Sequence, residues 1–502
     1  MPQIPFAPDP CRRGQRIRRI LPILLLVIFL PGCSLAPDYV RPSSPVPGSL
    51  ESGAPPGDPS GSVEPGRLPG PYVGTGAFYP EPRLRALIGL ALANNRDLRT
   101  QGLNVEEALA RHGIAQADRL PGLEAGLGDS VKGGQNLRTS NSYSAELMLP
   151  SFELDFFGKL KNASLSAREA YLASMEARDA FRISLVQAVA LAYLEERLSF
   201  QKEKLAERTI KSWKDALAFM ENRVVSGQAS LLELEQARGQ VGFAEAQLLA
   251  MRVERQRYQN ALELLVGDYG KTPLPGASDL LSWEPSVASL GLSGPMGSNV
   301  LLARPDVLAA ERELIAAHYD IGVARANFFP SISLTGSLGL MSGELSNLFV
   351  AKDSAWALTP GLSLPIFSGG RNMRQLELAT TAKDKLALAY EKTIQQAFKE
   401  TADALLPRAD LLALLEARAR YLATQRRVLE LAGSRYQNGA IGYLEVLDAQ
   451  RSVFEAESDL LDAKASWIAN SVNLFAALGG GLNDSGLALA PQKPREPAGD
   501  AH

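Results

Sequence analysis

The stretch Ser331-Ile-Ser-Leu-Thr-Gly-Ser-Leu-Gly-Leu340 alternates with period two: Ile332, Leu334, Gly336, Leu338 and Leu340 fall on one side, and Ser331, Ser333, Thr335, Ser337 and Gly339 on the other. A strand sends successive side chains to opposite faces, so one face is greasy and the other small and polar. Trp356, Leu358, Pro360, Leu362, Leu364 and Ile366 repeat the pattern, with Thr359, Gly361 and Ser363 between them. Leu123, Ala125 and Leu127, then Tyr143, Ala145, Leu147 and Leu149, echo it more weakly in the first half of the chain. Two architectures satisfy the alternation. One is a soluble antiparallel sheet packed on helices; the other is a membrane barrel with apolar residues outward and a wet lumen inside. Four strands cannot close a barrel and open edges are not viable in lipid, so the barrel reading requires several copies of the chain.

Working outward, the strands sit inside a duplicated unit. Asn95-Arg-Asp-Leu98 falls opposite Arg304-Pro-Asp-Val307 at an offset of 209, as do Gly113-Ile-Ala115 and Gly322-Val-Ala324. Arg223-Val-Val-Ser-Gly227 falls opposite Arg435-Tyr-Gln-Asn-Gly439 at 212, carrying Leu232-Glu233 onto Leu444-Glu445. A unit of about 210 residues is far longer than a solenoid repeat. Each copy holds a long helical stretch: residues 151 to 272 contain no proline, and 366 to 490 only Pro407. Leu411, Leu415, Arg418, Leu422, Gln425, Leu429, Ala432 and Tyr436 follow four-three spacing. So do Leu444, Leu447, Arg451, Phe454, Ser458, Leu461, Ala465, Ile468, Val472 and Phe475. These are heptad seams, which predict helices packed nearly parallel as coiled coils. Lys159 to Val225 and Arg371 to Gln437 would each reach about 100 Å if continuous, with Pro407 bending the second. Gly227 and Gly439 end them and turn the chain back.

The N-terminus reads as an address. Arg12, Arg13, Arg16, Arg18 and Arg19 precede the apolar run Ile20 to Leu30, which is too short to span a membrane and fits a secretory signal. It ends in Leu30-Pro-Gly-Cys33, similar to the bacterial lipobox, where cleavage precedes a cysteine that is then lipidated; Pro31 stands where a small residue is usual. Residue 34 is Ser rather than Asp, which points to the outer membrane. From Pro37 to Pro82 the chain is rich in Pro, Gly and Ser and reads as an extended tether. With 52 Lys+Arg against 55 Asp+Glu, the chain has no basic footprint for nucleic acid. Its 46% hydrophobic content excludes bulk disorder. Two cysteines and three scattered histidines leave little for a disulfide scaffold, a soft-metal site or His/Cys catalysis. Gly267-Asp-Tyr-Gly-Lys-Thr272 has two residues between its glycines where a phosphate loop needs four, so it reads as a helix end. No enzyme and no cofactor are expected beyond a covalent lipid on Cys33.

Cys33-Ser-Leu-Ala-Pro-Asp-Tyr39 with Arg41-Pro42, Glu153-Leu-Asp-Phe-Phe-Gly158, Arg304-Pro-Asp306, Leu364-Pro-Ile-Phe-Ser-Gly-Gly370, and Arg435-Tyr436 through Tyr443-Leu-Glu-Val-Leu-Asp-Ala-Gln-Arg451 together resemble the TolC-like outer-membrane efflux channels, in the lipid-anchored branch that serves multidrug pumps. The resemblance covers essentially the whole mature chain. It implies a mainly α fold with a β-barrel portion: a homotrimer whose twelve strands form one outer-membrane barrel, continued by a helical tunnel through the periplasm. It implies a passive exit duct working with a periplasmic adaptor and an inner-membrane pump, anchored in outer-membrane lipid. By motif match Tyr436, Leu444, Asp448 and Arg451 fall at the periplasmic gate, while Ser226, Gly227, Leu231, Asn438, Gly439 and Tyr443 fall at the tips that meet the adaptor. From the residues alone, Asp448 and Arg451 equally fit an intrahelical surface pair, Leu444 a coiled-coil core position, and the two glycines plain helix termination. A protein-secretion channel and a non-conducting coiled-coil lipoprotein remain the alternatives.

The expected division is a signal peptide at 1–32, an anchored extended segment at 33–81, a first repeat at 82–290, a second at 291–480 and a loose tail at 481–502. The first repeat holds a helix from about Pro82 to Arg119, strands near 121–132 and 142–154, and helices 159–225 and 231–265. The second holds a helix at 304–327, strands near 330–341 and 354–367, and helices 371–437 and 443–478.

Overall fold

A computed structural model describes residues 34–50, 74–134, 137–277, 285–287, 296–349 and 354–480. The signal peptide, Cys33, the middle of the anchored segment and the C-terminal tail lie outside the described residues. The chain forms strands β1 (Glu124–Gly134), β2 (Leu137–Leu154), β3 (Ser331–Ser342) and β4 (Ser354–Ser363), with eight long helices. These are α1 (Pro82–Asn94), α2 (Arg96–Ala117), α3 (Lys159–Val225), α4 (Leu231–Val266), α5 (Pro305–Ala326), α6 (Arg371–Leu405), α7 (Arg408–Gln437) and α8 (Tyr443–Ala477). The fold is mainly α with a β portion. It divides into two compact units, one of residues 1–42, 105–173 and 310–390, the other of 43–104, 174–309 and 391–502.

In the first unit the four strands form one antiparallel sheet in the order β1-β2-β3-β4. Register places Leu127 beside Ala145, Leu147 beside Leu338, and Leu338 beside Trp356, so one apolar face runs across all four strands. The opposite face carries Gly128, Ser144, Ser337 and Ala357. A register shift between Leu149 and Phe152 keeps that apolar face intact. Without it the even-numbered Phe152 and Leu154 would fall on the polar side; with it they pair with Leu334 and Ile332. Pro150, which has no N–H for a ladder, sits inside the shifted segment. The apolar face is bare in the single chain: Leu127 is 83% exposed, and Trp356 and Leu362 each 72%. β4 ends at Ser363, short of the expected 367, because Pro365 lacks a ladder donor. Each hairpin leads into a helix through positive-φ glycine, Gly158 before α3, and Gly369 and Gly370 before α6. Asp155 caps α3 by accepting from the Lys161 N–H at 2.7 Å.

The second unit is a helical body with a core of Phe78, Tyr193, Leu194, Trp213, Phe454, Ile468 and Phe475, in which Phe78 and Phe475 stack at 4.2 Å. Two helices expected to be continuous are divided here. The helix beginning at Pro82 breaks at Asn95, whose side chain accepts from Leu98 N–H and donates to the Leu265 carbonyl, both at 2.9 Å. An Asn that bonds the backbone in this way starts a new helix instead of continuing the old one. The expected 371–437 helix is split into α6 and α7 at Leu406-Pro407, since proline removes a donor and clashes with the preceding turn. Asn470 donates to the Ala404 carbonyl at 2.9 Å, satisfying an acceptor at the break.

Along α7 every position of the expected seam, Leu411 through Tyr436, is at least partly buried between exposed neighbours. On α8 the seam holds from Phe454 to Phe475 but slips toward the N-terminal end. Leu444 and Arg451 are exposed there, while Tyr443 and Val446 are buried beside Leu447. A helix of 3.6 residues per turn drifts against a strict heptad, and over the first turns of α8 the drift brings the neighbouring positions inward.

Candidate functional site

Two turns reverse the chain, α3 to α4 and α7 to α8, and they share one construction. Gly227 N–H bonds the Val224 carbonyl at 3.0 Å and Gln228 N–H the Arg223 carbonyl at 2.8 Å. Gly439 and Ala440 do the same to Tyr436 and Arg435, both at 2.9 Å. This is the paired bonding of a Schellman motif, which needs the left-handed backbone that Gly227 (φ 71°) and Gly439 (φ 70°) supply. Ser226 Oγ and Asn438 Nδ2 each donate to the carbonyl four residues back, at 2.9 Å. The helices that leave the two turns start differently: Ser230 and Glu233 form a capping box on α4, whereas α8 starts from Gly442 with no side-chain cap.

Behind the turns Met220, Leu234, Ala237, Tyr443, Val446 and Leu447 close a small core of their own. At its edge Arg223 Nη1 donates to the Tyr436 hydroxyl at 2.6 Å, and the guanidinium lies 5.2 Å from that ring's centroid. Arg223 Nη2 also donates to the Gln228 carbonyl at 3.0 Å, and the Tyr436 ring tilts against Tyr443 at 5.2 Å. Arg223 therefore joins the first repeat's turn to the second repeat's tyrosine, a role that no local sequence signal gives. Burial raises the pKa of both phenols, with the Arg223 charge opposing it at Tyr436, so both are neutral near pH 7.

Of the residues expected at the gate, Tyr436 alone joins this cluster. Leu444 is 51% exposed, so it is not a core position within the chain. Asp448 accepts from Arg451 Nη2 at 3.1 Å as an intrahelical i,i+3 pair, both side chains half exposed. Tyr443 is buried, while Leu231, Leu232 and Val225 present apolar side chains around the first turn at 65, 67 and 90% exposure. This is a mechanical site: hydrogen bonds, a ring contact and bare aliphatic groups at a helix reversal.

The anchor is the other candidate site. Cys33 lies outside the described residues, but the strap after it is bonded along the first unit, not left as a free tether. Ser34 Oγ donates to Asn162 Oδ1 at 2.7 Å, and Arg325 Nη1 donates to the Leu35 carbonyl at 3.1 Å. The strap then crosses Gly322, where a Cβ would lie 2.8 Å from Ala36 N and 2.5 Å from Asn162 Nδ2. His318 meets the Tyr39 ring edge-on at 5.4 Å. Arg41 Nε and Nη2 each reach the carboxylate of Glu311 at 2.7 Å, and Tyr39 OH donates to it at 3.0 Å. The Glu311 side chain is only 9% exposed, so its charge is matched by groups of the strap.

The family model described as "Outer membrane efflux protein" matches residues 87–268 and 296–480. The chain is 40% identical to the cation efflux system protein CusC of Escherichia coli (strain K12) over 92% of its own length and 99% of that protein's. It is 40% identical to the probable outer membrane lipoprotein SilC of Salmonella typhimurium over 91% and 97%. The crystal structure of the open state of the Neisseria gonorrhoeae MtrE outer membrane channel superposes with a TM-score of 0.80 at 34% identity, over 90% of this chain and 99% of that one. The duplicated helical plan, the two-faced sheet and these likenesses agree, and the chain belongs to the outer membrane efflux protein family, whose members are non-enzymatic exit channels of the outer membrane.

Proposed function

We propose that three copies of the chain join their four-stranded sheets into a twelve-stranded barrel whose small polar face lines a duct, with the helices continuing it into the periplasm. The observation that carries this is the bare, mostly apolar face across four strands that have two open edges. Such a sheet is stable in lipid only when its edges are paired. The duct takes cargo from an inner-membrane pump through a periplasmic adaptor; its wall is mostly Gly, Ser, Thr and Ala, with Glu124, Lys132, Glu146 and Met148 added by the first hairpin, and has no shaped apolar pocket, which leaves selection of cargo to the pump. The tips at Ser226, Gly227, Leu231, Asn438 and Gly439 receive the adaptor, with bare aliphatic groups as the contact, while buried Tyr443 supports the second turn from behind. Leu444 constricts the closed end, and Asp448 and Arg451 latch it across subunits. Their pairing within one helix is worth only a few tenths of a kcal/mol, so exchange to a neighbour's partner is easy. A lipid on Cys33 anchors the N-terminus. SilC is named a lipoprotein, which supports this reading.

Single-channel recording in a planar bilayer tests it. The wild-type trimer gives a small, mostly closed conductance, which rises in Asp448→Ala combined with Arg451→Ala. No conductance from either protein, in a preparation shown to be inserted, overturns the channel.

A further inference from the structure

Beside the strap lies an open groove of about 440 Å³, lined by Ser34, Leu35, Ala36, Arg325, Phe328 and Phe329. Its two phenylalanines are about two-fifths exposed, and only Pro330 separates them from the start of β3. Phe329 is held from behind by Phe157, stacked at 4.8 Å, so the floor is fixed. The chain outside the described residues ends at Cys33, one residue from this groove. A second observation comes from Asn162, which is fully buried. Its Oδ1 holds Ser34, while its Nδ2, lying against the strap at Gly322, has no hydrogen-bond partner among the described residues. A buried amide donor left open beside the residue after a cysteine is a place for an acceptor to arrive.

We propose that this groove is the seat of the acyl chain carried by Cys33, with Asn162 Nδ2 donating to a carbonyl of the acylated cysteine. The inference rests on Cys33 being lipid-anchored and goes beyond it. A chain already held in the membrane by a barrel gains little from one more membrane anchor. A lipid seated against Phe328 and Phe329 has a different role: it covers the foot of the sheet where the strand begins. The contacts of Ser34, Leu35 and Arg41 hold the strap along the first unit, so the acyl chain starts beside the groove.

The test places the photo-crosslinker p-benzoylphenylalanine in place of Phe328, and separately in place of Leu362 on the bare sheet face, in the full-length protein in its membrane. Mass spectrometry then reads both the N-terminal peptide and its crosslinks. The expected result is a lipid on Cys33 and about tenfold more crosslink placed by fragmentation on the acyl chain itself, not on residues 34–36, from position 328 than from 362, since a tethered ligand beside its site outcompetes bulk lipid. A lipidated N-terminal peptide whose acyl chain crosslinks equally from both positions, or from neither, overturns the seat and leaves the anchor standing. An N-terminal peptide without lipid overturns the anchor itself, and the seat with it.

Discussion

Replacing Arg41 with alanine tests whether the strap is part of the fold. Arg41 holds Glu311 through two bonds of 2.7 Å, and that carboxylate is 9% exposed while the guanidinium is 49% exposed. Breaking a fully buried pair costs about 3 to 5 kcal/mol, and an exposed pair about 1 or less. The Tyr39 hydroxyl remains as a donor to Glu311 after the change, which limits the loss. The expected cost is about 2 kcal/mol, which is roughly a thirtyfold increase in the opening equilibrium of the strap. Hydrogen–deuterium exchange at the amides of Asp38, Tyr39 and Val40 reads that opening directly, while the exchange of β2 and β3 stays unchanged as an internal control. Arg41→Lys, which keeps the charge but loses the fork, falls between the two. In a Glu311→Gln background the loss of Arg41 costs far less, because the buried charge is already gone. Exchange in Arg41→Ala within about twofold of wild type, or an equal effect in both backgrounds, refutes the account of Glu311 as a charge matched by the strap.

Gly322→Ala places a Cβ into Ala36 and Asn162, so the exchange protection of residues 34–41 drops as in Arg41→Ala, although no charge is touched; unchanged protection denies that the strap needs this close approach. Burial and the charge of Lys383 lower the pKa of His318, so the native state binds fewer protons than the unfolded chain below the ordinary value of 6.5. Stability from this group is therefore present above that value and declines as pH falls through the window beneath it, so strap exchange quickens on acidification in wild type and less so in His318→Gln. Arg223→Ala removes the tie between the two tip turns, worth about 1 kcal/mol at this half-exposed site, and raises channel open probability about fivefold in bilayer recordings. Tyr436→Phe, which keeps the ring contact and loses only the hydroxyl, has a smaller effect. Equal open probabilities for all three proteins reject the tie.

Much of this architecture is local and therefore legible in the chain. The strand faces come from alternation alone, and the α7 seam from Leu411 to Tyr436 comes from four-three spacing, because each depends on residues within a few positions of one another. The register shift after Leu149 is not readable in advance: alternation stops at Leu149 and resumes out of phase at Phe152, and only pairing with Leu334 shows which phase continues the face. The slip at the start of α8 belongs to the same class, since Leu444 and Tyr443 can each fill a core position and the choice between them is made by packing with Met220 and Leu234 in the other repeat. Glu311 and Arg41 are separated by 270 residues, and neither stands in a pattern that announces a buried pair. Arg223 falls opposite Arg435 in the duplication, yet Arg223 is the one that reaches Tyr436. The duplication predicts equivalent backbones but not which copy keeps a contact.

The junction between β2 and β3 carries a consequence for how such a ring evolves. It joins the last strand of the first hairpin to the first strand of the second, antiparallel, with Leu154 beside Ile332 at one end and Tyr143 beside Ser342 at the other. On the trimeric reading β4 of one chain meets β1 of the next in the same relation. An ancestor with a single hairpin would have needed six identical copies and sixfold symmetry, every joint serving also as an assembly contact. Fusing two hairpins makes half of those joints covalently guaranteed and releases them from selection for recognition. The two hairpins are then free to diverge, as the charges Glu124, Lys132 and Glu146 in the first and the Ser, Thr and Gly face of the second show they have.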